Sequence, residues 1–144
     1  KTAEAAGFKT IDPSNGDLLK RVGDWSDGAF ADAAIVTIGS ANVNAEAATA
    51  LKKFDGKILL FAAAYPAPEV GLNANEIHYR RLSLIGTFIA DLSDFVEAAD
   101  LLNSRRVDVS RLIEPNRYRL DDIQEAFREA SRPGRFRVCV LPNG

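Results

Sequence analysis

The sequence holds one histidine and one cysteine, His78 and Cys139. Histidine titrates near neutral pH and can shuttle protons. His78, however, sits in the charged stretch Ile77-His78-Tyr79-Arg80-Arg81, where a surface or helix-face position is the expected one. Cys139 lies within the apolar run Phe136 to Leu141 and reads as a buried, inert thiol on a strand. A catalytic zinc takes about three protein ligands from Cys, His and carboxylate side chains. One His and one strand-buried Cys do not supply them, and a single Cys excludes a disulfide within the chain. Asp121-Asp122 is a carboxylate pair on paper, but Asp121 and Gln124 have the spacing of a helix capping box. Arg137 alternates with apolar neighbours and reads as a residue on a solvated strand face. The glycine-rich Gly-x-Gly-x-x-Gly turn that cradles a dinucleotide pyrophosphate has no counterpart here. No catalytic residue and no metal ligand is therefore assigned.

The elements that would carry these residues alternate between two periods. Lys1 to Ala6 reads as the tail of a helix, ended by Gly7 in the left-handed position. Phe8 to Ile11 is expected as a short strand, stopped by the turn Asp12-Pro13-Ser14-Asn15-Gly16. Asp17 to Val22 has helical apolar spacing. Ala33 to Ile38 is a nearly continuous apolar run ending at Gly39, the pattern of a strand buried on both faces of a parallel sheet. Asn44 is placed to cap a helix over Ala45 to Phe54, with a stop at Asp55-Gly56. A second apolar strand spans Lys57 to Ala63. A short helix around Glu76 to Arg80 leads to a strand over Leu82 to Ile85, closed by Gly86. Ser93 is a good cap for a helix from Asp94 to Asn103, and Asp121 for one reaching Ala130. Pro133-Gly134 separates that helix from the last strand, Phe136 to Leu141. Strands alternating with helices define an α/β fold with a parallel sheet.

Bulk properties narrow the class further. The 144 residues are 47% apolar and 26% charged, ordinary values for a globular domain. The net charge is −2 with no basic stripe, so nucleic acid is not an expected partner. Ile58 to Ala64, among the longest apolar stretches, is far too short to span a bilayer, and no signal-peptide pattern opens the chain. A cytoplasmic protein without membrane contact is expected. The absence of methionine and the uncapped helical opening lead us to expect a piece of a longer protein.

Several strings, taken in order, resemble one family. Gly7-Phe8-Lys9-Thr10-Ile11-Asp12-Pro13 resembles the segment leading into the third strand of the coenzyme domain of medium-chain, zinc-dependent alcohol/polyol dehydrogenases and reductases. Ala31 to Ser40, Gly56 to Phe61 and Leu82 to Phe88 resemble its fourth, fifth and sixth strands. Asp94 through Val107-Asp108-Val109, Arg119 to Phe127 and Gly134-Arg135-Phe136-Arg137-Val138 resemble the segments that follow. The resemblance covers essentially the whole chain. It implies an incomplete doubly wound, Rossmann-like parallel sheet with flanking helices, lacking its first two strands. Residues 1–144 would be a truncated nucleotide-binding domain with the family's C-terminal tail and no catalytic domain. The sheet order 3-2-1-4-5-6 then predicts that strands 33–38, 57–63 and 82–85 pair as neighbours, while the Thr10 strand has no native partner. An open apolar edge is a liability, so self-association into a homo-oligomer, or an extra chain filling the gap, is expected.

The same resemblance implies a coenzyme, NAD or NADP, at the carboxyl ends of the strands. It nominates Ile38 and Ser40 beside the adenosine half, and Phe61, Ala62 and Ala63 beside the nicotinamide, their backbone groups facing the carboxamide. Thr87, Phe88 and Ile89 would close the other side of that ring, and Arg137 would reach the pyrophosphate through paired, charge-assisted bonds. From the residues alone, Ile38-Gly39 and Gly86-Thr87 are strand ends turning into loops, and Phe61 is core. Zinc would enter only through the domain not present. The implied activity is hydride transfer between a small alcohol (a polyol or sugar alcohol) and a carbonyl. The alternatives are the zinc-free quinone or enoyl reductase branch, and a non-catalytic module binding a nucleotide or a protein.

Overall fold

The computed structural model describes residues 2–12, 14 and 16–143, and these form two compact units, 1–89 and 90–144. The first contains helices α1 (Thr2–Ala5), α2 (Leu18–Trp25), α3 (Ala41–Thr49) and α4 (Ala74–Arg80), and strands β1 (Ala33–Val36), β2 (Lys57–Leu60) and β3 (Ser83–Gly86). The strands form a parallel sheet ordered β1-β2-β3, with Ile35 beside Leu59 and Leu59 beside Ile85. The neighbour relations that the resemblance implied are therefore present. β1 and β2 are shorter than their runs, because the ladder ends where the chain turns out of the sheet, and β3 is offset from its run by one residue.

Side chains alternate across a strand, and here the two faces differ sharply. Val36 and Ile58 are buried with Ala48 and Leu51 from α3 and its exit, and with Leu82. Val43, Ala47, Leu72 and Ile77 pack around this cluster, so residues of both crossover helices cover one face. On the other face Ile35 is 64% exposed and Ile85 41%. Continuous apolar runs had suggested burial on both sides; among the described residues of this unit the second face stays open at Ile35 and Ile85.

Helix α3 starts earlier than its sequence suggests. Ser40 occupies its N-cap position, and Asn44 is buried one turn inside, its amide donating to the Val70 carbonyl at 3.0 Å. A long-range bond thus claims the side chain that looked like a cap. At the other end Arg80 acts as the cap. Its guanidinium donates to the carbonyls of Ala48, Leu51 and Lys52 at 3.1 Å each and to Lys53 at 3.2 Å. Glu76, one turn earlier on α4, holds it at 2.6 Å.

Residues 8–11 form no strand, contrary to expectation, and Phe8 is largely exposed. A strand exists only where a neighbour completes its ladder, and none is present. Gly7 does take the left-handed position (φ 87°), and the Phe8 amide donates to Ala3 at 3.0 Å to close α1. Of the expected turn after it, Pro13 and Asn15 lie outside the described residues, as does Lys1 at the opening of the expected helix tail.

The second unit contains α5 (Leu92–Asn103), β4 (Ile113–Arg119), α6 (Ile123–Ala130) and β5 (Arg137–Leu141). Asp91, not Ser93, caps α5. It accepts from the Asp94 amide while Asp94 accepts from the Asp91 amide, and Ser93 donates to the same Asp91 carboxylate. These bonds hold the Asp91 carboxyl below its ordinary range, chiefly through the Ser93 hydroxyl. A 3-10 turn over Leu120–Asp122 precedes α6, so Asp122 takes the cap position that Asp121 was expected to hold, without a side-chain bond.

Strand β4 was not anticipated, because Pro115 argues against a strand interior. The structure accommodates it in a bulge. Ile113 pairs with Arg137 and Arg117 with Cys139, and the register slips between them. Glu114 secures the bulge, accepting from the Phe136 amide at 3.0 Å and from Arg135 at 3.1 Å. Arg135 also reaches Glu129 of α6 at 2.7 Å.

Replacing Arg80 with alanine would strip four carbonyls of their cap. We expect Arg80→Ala to lower stability by about 2–3 kcal/mol in urea unfolding, since bonds to a charged group contribute about 1.5–3 kcal/mol. Glu76→Ala should cost clearly less.

Candidate functional site

The carboxyl ends of β1, β2 and β3 lie side by side, so three chain exits form one lip. Ile38 and Ser40 follow β1, Phe61, Ala62 and Ala63 follow β2, and Thr87, Phe88 and Ile89 follow β3. The parallel register thus gathers eight of the nine nominated residues at one edge of one unit. Arg137 is the ninth, and it belongs to β5 in the second unit.

Backbone contacts fix the lip. The amides of Phe61 and Ala62 both donate to the Val36 carbonyl, at 3.0 and 3.2 Å. Their carbonyls are the backbone groups these two residues can still offer. Thr87 donates its hydroxyl to the Leu60 carbonyl at 3.4 Å. Between the first two exits the approach is closer still. A Cβ added at Gly39 would sit 2.5 Å from the Ala64 Cβ and 2.9 Å from the Ala64 amide nitrogen. Glycine is needed there for space, so that the loops after β1 and β2 can touch.

The lip is apolar and open. Ile38 and Phe61 are 61% and 62% exposed, and Phe88 and Ile89 are 89% and 80% exposed. Ile89 also has a left-handed backbone (φ 57°), uncommon for a β-branched residue. Clustered exposed apolar side chains mark a surface that meets another molecule. Phe61 is thus not the core residue that an apolar run suggests. Polar character comes from Ser40, half-buried at the start of α3 and making no side-chain cap bond.

None of these eight residues carries an ionisable side chain. The shifted carboxyls lie elsewhere, each held low mainly by a side-chain hydrogen bond: Asp32 by Lys52 and Asp55 by Arg81. His78 lies exposed on α4, its ring edge-on to Tyr79 with centroids 5.2 Å apart. Cys139 is a half-buried free thiol, more accessible than its position inside an apolar strand suggested. Among the described residues no group of three His, Cys, Asp or Glu side chains could hold a metal ion. No helix among them is long and apolar enough to cross a membrane.

No protein-family model and no curated protein matches this sequence. Solved structures do match by fold. 2R,3R-butanediol dehydrogenase from Bacillus subtilis superposes with a TM-score of 0.82 at 21% identity, over 99% of this chain and 40% of its own. A protein assigned as a zinc-binding dehydrogenase from Sinorhizobium meliloti 1021, bound to NADP, gives 0.77 at 24% identity, over 92% of this chain and 39% of its own. Alcohol dehydrogenase TADH from Thermus sp. ATN1 gives 0.77 at 16% identity, over 96% and 40%. The fold is α/β of the Rossmann type found in these dehydrogenases, as the ordered strings implied. The chain spans about two fifths of the length of each of these three structures.

Two glycine substitutions separate packing from propensity at the lip. Gly39→Ala should destabilise by roughly 1–3 kcal/mol, the cost of forcing a methyl into a packed contact. Gly86 has nothing within 4 Å of an added Cβ, so Gly86→Ala should be neutral or slightly stabilising in the same denaturation measurement.

Proposed function

We propose that this chain is part of a medium-chain NAD(P)-dependent oxidoreductase that interconverts a small alcohol, of the polyol or sugar-alcohol class, and a carbonyl. The observation that supports this reading most is the single apolar lip at the carboxyl ends of three parallel strands, on a fold shared with alcohol and butanediol dehydrogenases. Ligands of open α/β sheets bind at that edge.

In this reading the nicotinamide coenzyme supplies the hydride acceptor or donor. Ile38 and Ser40 flank the adenosine half, and the Ser40 hydroxyl is a donor and acceptor for its ribose. Phe61, Ala62 and Ala63 border the nicotinamide, with carbonyls facing its carboxamide amide. Thr87, Phe88 and Ile89 form the opposite wall and keep water off the ring. Arg137 carries the charge that pairs with the pyrophosphate. The residues fit such a group in type, since exposed apolar walls with few polar contacts are what a flat heteroaromatic ring needs. They contain no proton-transfer group and no zinc ligands, so chemistry at the substrate oxygen belongs to residues outside this chain. The chain alone, lacking the glycine-rich phosphate turn, is inactive.

Isotope-labelled protein titrated with NADH and with NADPH tests the reading. Amide shifts should move at Ile38, Ser40, Phe61 to Ala63 and Thr87 to Ile89, with a dissociation constant on the order of 1 mM. Turnover of polyols should be absent. No movement at the strand ends, or movement confined to other residues, sinks the coenzyme reading.

We also propose that the chain self-associates through the open sheet face of Ile35, Leu59 and Ile85, because such a surface gains from leaving water. Sedimentation should show a concentration-dependent dimer that Ile35→Asp abolishes. A monomer throughout would refute it.

A further inference from the structure

The second unit carries a charged surface that the coenzyme reading uses only in part. Strands β4 and β5 are parallel, with Arg117 beside Cys139, Tyr118 beside Val140 and Arg119 beside Leu141. Side chains alternate across a strand. Tyr118, Val138 and Val140 therefore share one face, and Val138 and Val140 there line a small apolar cavity with Ile123, Ala126, Phe127 and Ala130 of α6. Arg117, Arg119, Arg137, Cys139 and Leu141 share the face turned away from α6. Three guanidiniums thus project from one side of a two-stranded ribbon.

Their partners set these arginines apart from others of the unit. Arg132 and Arg135 are paired with Glu129, and Arg135 also with Glu114. Those two carboxylates are thereby drawn away from the open face. Among the described residues neither Arg119 nor Arg137 has a carboxylate partner within ion-pair distance, and both side chains are exposed. Arg117, also exposed, donates only to the carbonyls of Glu114 and Asn116 on its own strand. Asp121 and Asp122 lie two and three residues beyond Arg119 but make no ion pair with it. Three like charges left unneutralised on one face attract an anion with several charges rather than a single carboxylate.

The spacing narrows the ligand. Strand rise puts Arg117 and Arg119 about 6.6 Å apart along β4, and Arg137 stands roughly 8 Å diagonally from Arg117. Guanidiniums match phosphoryl oxygens through paired bonds, and a row of them matches phosphoryl groups joined in a chain. We propose that Arg117, Arg119 and Arg137 form a binding face for phosphoryl groups linked as anhydrides, with all three guanidiniums engaged together. The proposal takes up Arg137 from the coenzyme reading and adds two residues to it, but it stands whether or not the strand-end lip holds a coenzyme.

The test is a titration of the labelled full chain with sodium tripolyphosphate, following the arginine Nε–H signals at constant ionic strength. Signals of Arg117, Arg119 and Arg137 should move together and saturate, and equal sulfate should not displace the ligand. Arg119→Gln and Arg137→Gln should each weaken binding roughly five- to tenfold, as loss of a charge-assisted bond implies. Arg128→Gln, on α6, should leave it unchanged. Thermal unfolding of each variant shows that these exposed changes leave the fold intact. An NADH arm separates the sources of the phosphates. NADH moving the same three guanidinium signals assigns them to a dinucleotide. NADH moving only the strand-end amides, while tripolyphosphate moves the arginines, assigns a separate oligophosphate. No saturable movement with tripolyphosphate overturns the proposal, as does equal weakening by Arg128→Gln, which would make the effect one of net charge.

Discussion

Ile58 has no exposed surface, and the first unit is arranged around that fact. It lies on the middle strand, so the helix after β1 and the helix before β3 can both be covered from one side chain outward. Burying a side chain of this size fully contributes about 1.5–3 kcal/mol. Its neighbours Val36, Ala48, Leu51 and Leu82 extend the same cluster. Because strand side chains alternate, concentrating this burial on one face leaves the other without cover. The sheet's asymmetry is therefore a consequence of where its helices pack, and the open Ile35–Ile85 face is as much a product of the core as the core itself.

Arg80 extends that arrangement to the ends of the helices. The chain leaving α3 turns sharply to enter β2, and such a turn strands carbonyls at the helix terminus. A guanidinium from α4 gathers four of them, which ties the two crossover helices together as firmly as their apolar contacts do. At the far end of β2, the chain after it passes close to Gly39. The lip is thus positioned mainly by backbone contacts and by the packing below it, with the Thr87 hydroxyl on the Leu60 carbonyl as a side-chain tie.

How much of this is written in the sequence depends on the range of the interaction. Apolar runs marked β1, β2, β3 and β5, and caps, stop signals and helical apolar spacing marked the α-helices, because all of these signals are local. The apolar strand ends also marked the lip, though only the family resemblance gave Phe61 or Phe88 a role beyond core. What escaped is what depends on distant partners. Asn44 looked like a cap until Val70 claimed it. Ser93 looked like one until Asp91 and Asp94 formed a reciprocal pair, whose spacing was itself visible as a capping box. Phe8 to Ile11 had strand character without a neighbour to express it. Pro115 hid a strand that a bulge makes possible. The grouping of Arg117 with Arg119 and Arg137 needed the register of β4 on β5, which no local pattern reveals.

On the two proposals above, each unit offers its own kind of contact to a ligand. The lip of the first offers apolar walls, backbone carbonyls and one serine hydroxyl, with no charge. Such a surface would distinguish ligands by shape and by the flatness of a ring, and apolar contacts are not weakened by charge screening. The ribbon of the second offers three guanidiniums, whose attraction is long-ranged and falls with salt. A dinucleotide carries both kinds of group, a flat heterocycle and a charged pyrophosphate, whereas a free oligophosphate carries only the second. Ionic strength therefore separates the two contributions: raising it weakens what the arginines hold and leaves the apolar contacts in place. A ligand whose affinity responds to salt as strongly as tripolyphosphate is held by the ribbon. One that barely responds is held by the lip.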